Sequence, residues 1–224
     1  MAAHARKANE GLRLGDKTAV VVGGTRTFPS LTYNPTSEGH EPRFVVLASR
    51  VLIAEALADA GLQAGVIVHA PGGSATTFDP DDLELGAAFK NGTVSMGAIF
   101  ERDRGMLDAF TLEFNARHPT IAMYHLNPGL VATRVVHNSG LTQPWKWLLG
   151  TLGACLGSDP AAVAELPVFL ATVTGLPSAR LLDAKLNSVK PTPWAEDGVL
   201  RTAVWENLMK LGSEVQQQQE EEAV

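Results

Sequence analysis

The sequence is poor in cysteine and tyrosine, and its few histidines are scattered. Cys155 is the only cysteine, which excludes an internal disulfide and a cysteine-based metal site. The six histidines lack the i, i+4 spacing of a helical metal pair, so we predict no metal site and interpret them as structural or solvated side chains. Only Tyr33 and Tyr124 carry a phenol, and neither is followed by a lysine four residues later.

Long apolar runs and basic clusters are also absent. The net charge of −6 and the scattered lysines and arginines argue against a general nucleic-acid surface. No stretch of about twenty apolar residues could span a bilayer. The first ten residues are polar and lack the apolar core of a secretory signal. We therefore predict a cytoplasmic protein with no nucleic-acid partner and no membrane span.

One β-branched apolar run ends in paired glycines. Residues 17–26 read Lys-Thr-Ala-Val-Val-Val-Gly-Gly-Thr-Arg. The run predicts a buried strand over 18–22, and a turn at Gly23 and Gly24 would let backbone N–H groups approach a phosphate. Gly23, Gly24, Thr25 and Arg26 are therefore candidate cofactor-binding residues, with Arg26 available for an NADP phosphate. The alternative is a simple strand-to-loop turn.

Strand and helix patterns alternate further along the chain. Apolar residues at steps of three and four predict a helix over 43–60 that ends at Gly61. A buried strand is predicted at 64–70, a helix from Met96 or Phe100 to Ala116, and a strand at 119–126. This alternation predicts an α/β fold with a parallel sheet flanked by helices.

The remaining segments complete the predicted domain. Helical patterns lie around 144–157, 159–174 and 198–211, and Asp159 is a predicted N-cap followed by Pro160. We predict one α/β domain over 15–212, preceded by a polar lead-in at 1–14. The glutamine- and glutamate-rich tail at 213–224 is predicted to be disordered.

Several motifs, in this order along the chain, resemble a fungal type of short-chain dehydrogenase/reductase. They include the glycine turn, Thr36-Ser-Glu-Gly39, Val66-Ile-Val68 before Gly72-Gly73, and His125-Leu-Asn-Pro-Gly129 with Thr133. The resemblance implies a Rossmann-like fold that binds NADP or NAD, and a role in secondary metabolism. It also implies that Asn127, Pro128, Gly129 and Thr133 form the loop over the nicotinamide; a plain turn after a strand is the alternative.

Two departures from the family bear on its chemistry. Only about a dozen loop-like residues lie between the glycine turn and Thr36, where the family has a helix and further strands. A single βαβ crossover alone takes about thirty residues. We therefore expect fewer strands than in the full family fold. Alignment on the family helix places Phe100 at the tyrosine position and Arg104 at the lysine position, and a phenyl ring cannot transfer a proton. Ser74, Ser95 and Tyr124 are candidate substitute proton donors.

The resemblance implies an NAD(P)-dependent oxidoreductase that acts on a small lipophilic carbonyl or alcohol. Trp145, Trp147 and Leu148 belong to an apolar cluster that the family would use as a lid over such a substrate, although a membrane-surface contact or a homodimer interface is an equal alternative. Because the tyrosine–lysine pair is missing, a second hypothesis is a non-redox protein on the same scaffold. That protein would be an isomerase, a cyclase or a partner-binding pseudoenzyme.

Overall fold

A computed structural model describes residues 2–10, 33–69, 79–92, 94–132, 143–172 and 180–222. Within these ranges the helices and strands follow one another in chain order. They are α1 (Ala2–Asn9), α2 (Pro42–Asp59), β1 (Ala64–Val68), α3 (Gly86–Lys90), α4 (Met96–Arg117), β2 (Ala122–Asn127), α5 (Gln143–Leu156), α6 (Pro160–Thr172), β3 (Leu181–Asp183), α7 (Pro193–Glu196) and α8 (Gly198–Glu222).

The three strands form a parallel sheet in the order β1-β2-β3. Ile67 is paired in register with His125, and Leu126 with Leu182. The strands predicted at 64–70 and 119–126 are confirmed, whereas β3 was not predicted because three residues are too few to show a period. The strand predicted at 18–22 lies outside the described residues.

Helices cover both faces of the sheet. Since side chains alternate along a strand, Ile67 and Met123 share one face, and they pack in a core with α2, α4 and α8. Tyr124 and Leu126 point to the other face, where the core is built from α1 and α6. This three-layer arrangement confirms the predicted α/β class and is consistent with a Rossmann-like fold.

The predicted helix ends are those of α2 and α6. Gly61 has φ +92°, and the N–H groups of Gly61 and Leu62 donate to the carbonyls of Ala58 and Leu57, which closes the last turn of α2 as a Schellman motif. At the start of α6, the Asp159 carboxylate accepts from the Ala161 N–H at 3.2 Å. The predicted C-terminal cap of α2 and the predicted N-cap of α6 are both confirmed.

Helices occupy the described parts of both the lead-in and the tail. The lead-in at 1–14 contains α1, whose Ala5 is fully buried and whose Asn9 donates to the Glu165 side chain at 2.8 Å. Helix α8 runs on to Glu222 through the segment predicted to be disordered. Glutamine and glutamate are good helix formers, so a helix with no glycine or proline after Gly212 has no local reason to stop.

Candidate functional site

A row of polar side chains lies on the sheet face that α4 covers. His125 is on β2, Asn127 ends that strand, and His69 directly follows β1, its N–H donating to the Leu126 carbonyl. The strand register places all three on the same face as Ile67. The carboxyl edge of a parallel sheet is where open α/β folds bind their ligands, so this row is the natural starting point for a site.

His125 is held by a carboxylate from α4. Its Nδ1 lies 2.8 Å from Asp108 Oδ1, and because the carboxylate oxygen accepts, Nδ1 is the donor. The other oxygen of Asp108 accepts from the Thr192 N–H at 3.1 Å and lies 3.6 Å from Arg104 Nε. His125 is 5% exposed, and its Nε2 has no hydrogen-bond partner within the described part of the chain. The imidazole is therefore fixed through one nitrogen, with the other left available.

A second histidine and carboxylate lie beside the first pair. The rings of His69 and His125 have their centroids 6.2 Å apart. His69 Nε2 is 3.2 Å from Arg43 Nη2 and 3.4 Å from Asp103 Oδ2, while Asp103 also accepts from the Arg43 and Arg102 Nε groups. His69 Nδ1 is buried and has no partner among the described residues.

Glu41 extends this network to the start of α2. Its carboxylate accepts from the backbone N–H groups of Arg43 and Phe44 and also from Arg102 Nη2 at 3.0 Å. Arg102 in turn donates to the Leu83 carbonyl at 2.6 Å. One buried glutamate thus caps a helix and pairs with a buried arginine, so it joins α2 to α4 beneath the site.

Burial and charge shift two of these pKa values. Burial lowers the pKa of His69, against the nearby Asp103 carboxylate, so the ring is neutral at neutral pH. Burial acts to raise the pKa of Asp103, but the contact with His69 and the charges of Arg102 and Arg43 outweigh it and lower that pKa to about 2. Asp103 is accordingly a permanent anion between two guanidinium groups.

The predicted nicotinamide loop begins at the same edge. The Asn127 side chain accepts from the Gly129 N–H at 3.0 Å, Pro128 is buried, and Gly129 has φ +68° with no atom of the described residues within 4 Å of a would-be Cβ. The positive φ is a conformation that glycine adopts without strain. Thr133 lies outside the described residues, as do Gly23, Gly24, Thr25, Arg26 and Ser74.

Phe100 and Arg104 lie one turn apart on α4, close to this network. The Arg43 guanidinium sits over the Phe100 ring, 5.3 Å from its centroid. Arg104 Nη2 donates to the Lys190 carbonyl at 3.1 Å. Both predicted positions are therefore beside the buried polar cluster. The Phe100 ring, however, only stacks against Arg43, and the Arg104 side chain bonds to the backbone of Lys190.

The other two predicted donors lie away from His125. Ser95 is exposed and caps α4 by accepting from the Ala98 N–H at 3.1 Å. Tyr124 is buried on the opposite face of the sheet, where its hydroxyl accepts from Arg180 Nη1 at 2.9 Å. The structure does not bring either of them to the row of His69, His125 and Asn127.

Sequence reasoning missed the acidic partners of the two histidines. Asp103 and Asp108 stand at inward positions of α4, five residues apart, among apolar residues that are fully buried. A charge on the buried face of a helix needs a partner, and the histidines in the two predicted strands were available for that role. Aspartates on the buried face of a helix, together with histidines in neighbouring strands, were therefore the sequence pattern that indicated this network. Only the fold shows which carboxylate contacts which imidazole ring.

The comparisons with known proteins identify no relative. No family model matches the chain, and neither the curated proteins nor the solved structures yield a match. Over the described ranges, no three metal-ligating side chains gather into a cluster, and no helix is both long and apolar enough to cross a membrane. Any functional conclusion must therefore come from the site itself.

Proposed function

We propose that this protein is an NAD(P)-dependent oxidoreductase of the short-chain dehydrogenase type, acting on a small lipophilic carbonyl or alcohol, in which His125 and Asp108 replace the missing tyrosine–lysine pair. One observation carries the proposal. A buried imidazole is held by a carboxylate through Nδ1, while its Nε2 is unpartnered in the described structure, on the face of the parallel sheet that α4 covers.

This geometry suits proton transfer. A carboxylate on Nδ1 fixes the ring orientation and stabilises the imidazolium, so that Nε2 can give a proton to a carbonyl oxygen or take one from an alcohol. Asp108 is itself fixed by the Thr192 N–H and by the nearby Arg104. Arg104 thus acts on the carboxylate that holds His125, which differs from the role of a lysine paired with tyrosine.

The cofactor would supply or accept the hydride, and this chain would position it. In the proposal, Asn127, Pro128 and Gly129 form part of its cradle at the end of β2, together with the glycine turn at 23–24. The open space at Gly129 supports this assignment, since a side chain at that position would obstruct a planar ring.

The exposed apolar side chains of helix α5 support the proposal that the substrate is lipophilic. It exposes Trp147 (73%), Leu148 and Leu156, and Lys146 is its only charged residue. Ser158, just after α5, exchanges backbone hydrogen bonds with Leu130 and Ala132, so the end of this apolar helix is fastened to the loop that follows Asn127. An apolar surface tied to the edge of the site is suited to cover an apolar molecule.

Phe100 favours a second candidate function, a cofactor-free isomerase or cyclase. Its ring, at the aligned tyrosine position, is stacked under Arg43 and offers no ionisable group. The pair of His125 and Asp108 could still move a proton within one substrate without any hydride transfer. The two functions share the acid–base pair and differ only in their need for the cofactor.

The experiment is NADPH-dependent reduction of a panel of small aliphatic and aromatic aldehydes and ketones by the wild type and by His125→Asn. Asparagine keeps an amide N–H toward Asp108 but removes Nε2, so we expect kcat to fall by about 100-fold or more while NADPH affinity is retained. The control is His118→Asn, because His118 is also paired with a glutamate, Glu55, but lies at the far end of α4.

Equal activity of wild type and His125→Asn would remove the histidine from the proposal. A folded wild type that neither binds NADPH nor reduces any carbonyl would eliminate the oxidoreductase and leave the cofactor-free candidate.

A further inference from the structure

Arg50 is a half-buried cation that lacks a counter-ion within the described structure. It lies on α2, two turns beyond Arg43, and its one hydrogen bond is a long one of 3.5 Å from Nη1 to the Val68 carbonyl at the end of β1. Its Nε is buried and has no partner among the described residues. An arginine normally uses such a position to pair with a carboxylate, and no carboxylate of the described residues forms an ion pair with it.

The neighbouring arginines form ion pairs that do not include Arg50. Asp103 is shared by Arg43 and Arg102, and Arg102 also pairs with Glu41. These carboxylates are therefore already engaged by other arginines. Burial and the nearby Arg43 lower the pKa of Arg50 and outweigh the opposing effect of the Asp103 charge.

His69 adds a second unpaired donor at the same strand end. His69 Nε2 lies between Arg43 Nη2, which can only donate, and Asp103 Oδ2, which can only accept. In the tautomer that accepts from Arg43, the proton is on Nδ1. That Nδ1 is buried and unpaired among the described residues, and His69 is 6% exposed. The Arg50 guanidinium contacts the carbonyl of Val68, the residue immediately before His69. The cationic side chain of Arg50 and the unpaired Nδ1 of His69 thus both belong to the end of β1, at Val68 and His69.

We propose that the end of β1 is a binding site for an oxyanion, a carboxylate or phosphate group, with Arg50 as its cation and His69 as a second donor. A negatively charged oxygen ligand would accept from both unpaired N–H groups and supply the carboxylate or phosphate partner that Arg50 lacks among the described residues. This site is separate from the acid–base pair of His125 and Asp108, so it does not depend on hydride transfer.

Two sources of such a group are consistent with the site. One is a phosphate of the dinucleotide, and the other is an acidic group on the substrate. The test is a calorimetric titration with inorganic phosphate at constant ionic strength, first of the free protein and then of the protein with excess NADPH. Competition by NADPH assigns the site to the cofactor. Undiminished phosphate binding by a protein that has bound NADPH, or by one that binds no NADPH, leaves an acidic substrate group as the ligand.

The variants are Arg50→Gln, Arg50→Lys and a matched control, Arg117→Gln. We expect the wild type and the control to bind phosphate saturably, Arg50→Gln to bind at least tenfold more weakly, and Arg50→Lys to lie between them. Arg117 is a suitable control because it is 41% exposed and lies at the end of α4, paired with Glu113. No saturable binding by the wild type, or equal affinity of wild type and Arg50→Gln, would overturn the proposal.

Stability provides a second readout. If Arg50 serves a ligand and not the fold, Arg50→Gln should raise the melting temperature of the phosphate-free protein. Added phosphate should then stabilise the wild type and the Arg117→Gln control more than Arg50→Gln. A loss of stability in phosphate-free Arg50→Gln would identify a structural arginine and contradict the proposal. A failure of NADPH to bind would leave these results unaffected, so the proposed function and the oxyanion site can fail separately.

Discussion

Gly105 on α4 permits the closest helix contact near the site. A Cβ at this position would lie 1.2 Å from Cζ2 of Trp194 on α7, so Gly105→Ala cannot be accommodated without moving the indole ring. Trp194 is 5% exposed, and the α7 segment begins just after Thr192, whose N–H holds Asp108. The substitution therefore tests both the packing and the support of the acid–base pair.

The expected cost of Gly105→Ala combines two opposing contributions. Alanine stabilises a helix interior by about 1 kcal/mol relative to glycine. Displacing a buried tryptophan costs about 3–5 kcal/mol, the range found when a large core aromatic is removed. The net destabilisation is about 2–4 kcal/mol, which lowers the melting temperature by roughly 4–16 °C for a protein of this size.

Urea and thermal denaturation followed by circular dichroism would measure this cost. The matched control is Gly97→Ala in the first turn of the same helix, where the nearest atom to the added Cβ is Ser95 Oγ at 3.8 Å. We expect that variant to stay within about 1 kcal/mol of the wild type. A Gly105→Ala protein as stable as the control would refute the packing of α7 against α4.

Two further predictions concern the buried charge network. The folded-state pKa of Asp103, about 2, lies below its ordinary value of 3.8. The ionised carboxylate therefore contributes about 2 kcal/mol to the free energy of unfolding, which is present above pH 4 and lost as the pH falls toward 2. This loss of stability in acid should be absent from Asp103→Asn and present in the control Asp159→Asn, which changes an exposed carboxylate. Glu41→Ala removes a helix cap and leaves Arg102 buried without Glu41, so it should cost about 3–5 kcal/mol in urea denaturation, and Glu41→Gln should cost less because it keeps an acceptor. An equal cost for the two Glu41 substitutions would contradict the pairing with Arg102.

The regular elements could be predicted because their signals are local. The apolar period of α2 and the glycine at 61 fix that helix and its end without reference to the rest of the chain. The β-branched run of β1 and the apolar run of β2 are likewise visible in a few consecutive residues. β3 has only three residues, and it is a strand because β2 lies beside it, so no local pattern could reveal it.

The candidate site depends on contacts between distant parts of the sequence. Asp108 meets His125 across seventeen positions, and Glu41 meets Arg102 across sixty-one. The sequence shows that α4 carries charges on its buried face, but several partners were available to each of them. Tyr124 illustrates the same limit, since one step along β2 separates the face of Arg180 from the face of Asp108.

The most direct test of the central claim is a calorimetric titration of the wild-type protein with NADPH and then with NADH. We predict saturable micromolar binding of one of the two dinucleotides, retained in His125→Asn, because that histidine is proposed to move protons and not to hold the cofactor. A folded protein that binds neither dinucleotide would contradict the account of this chain as an oxidoreductase.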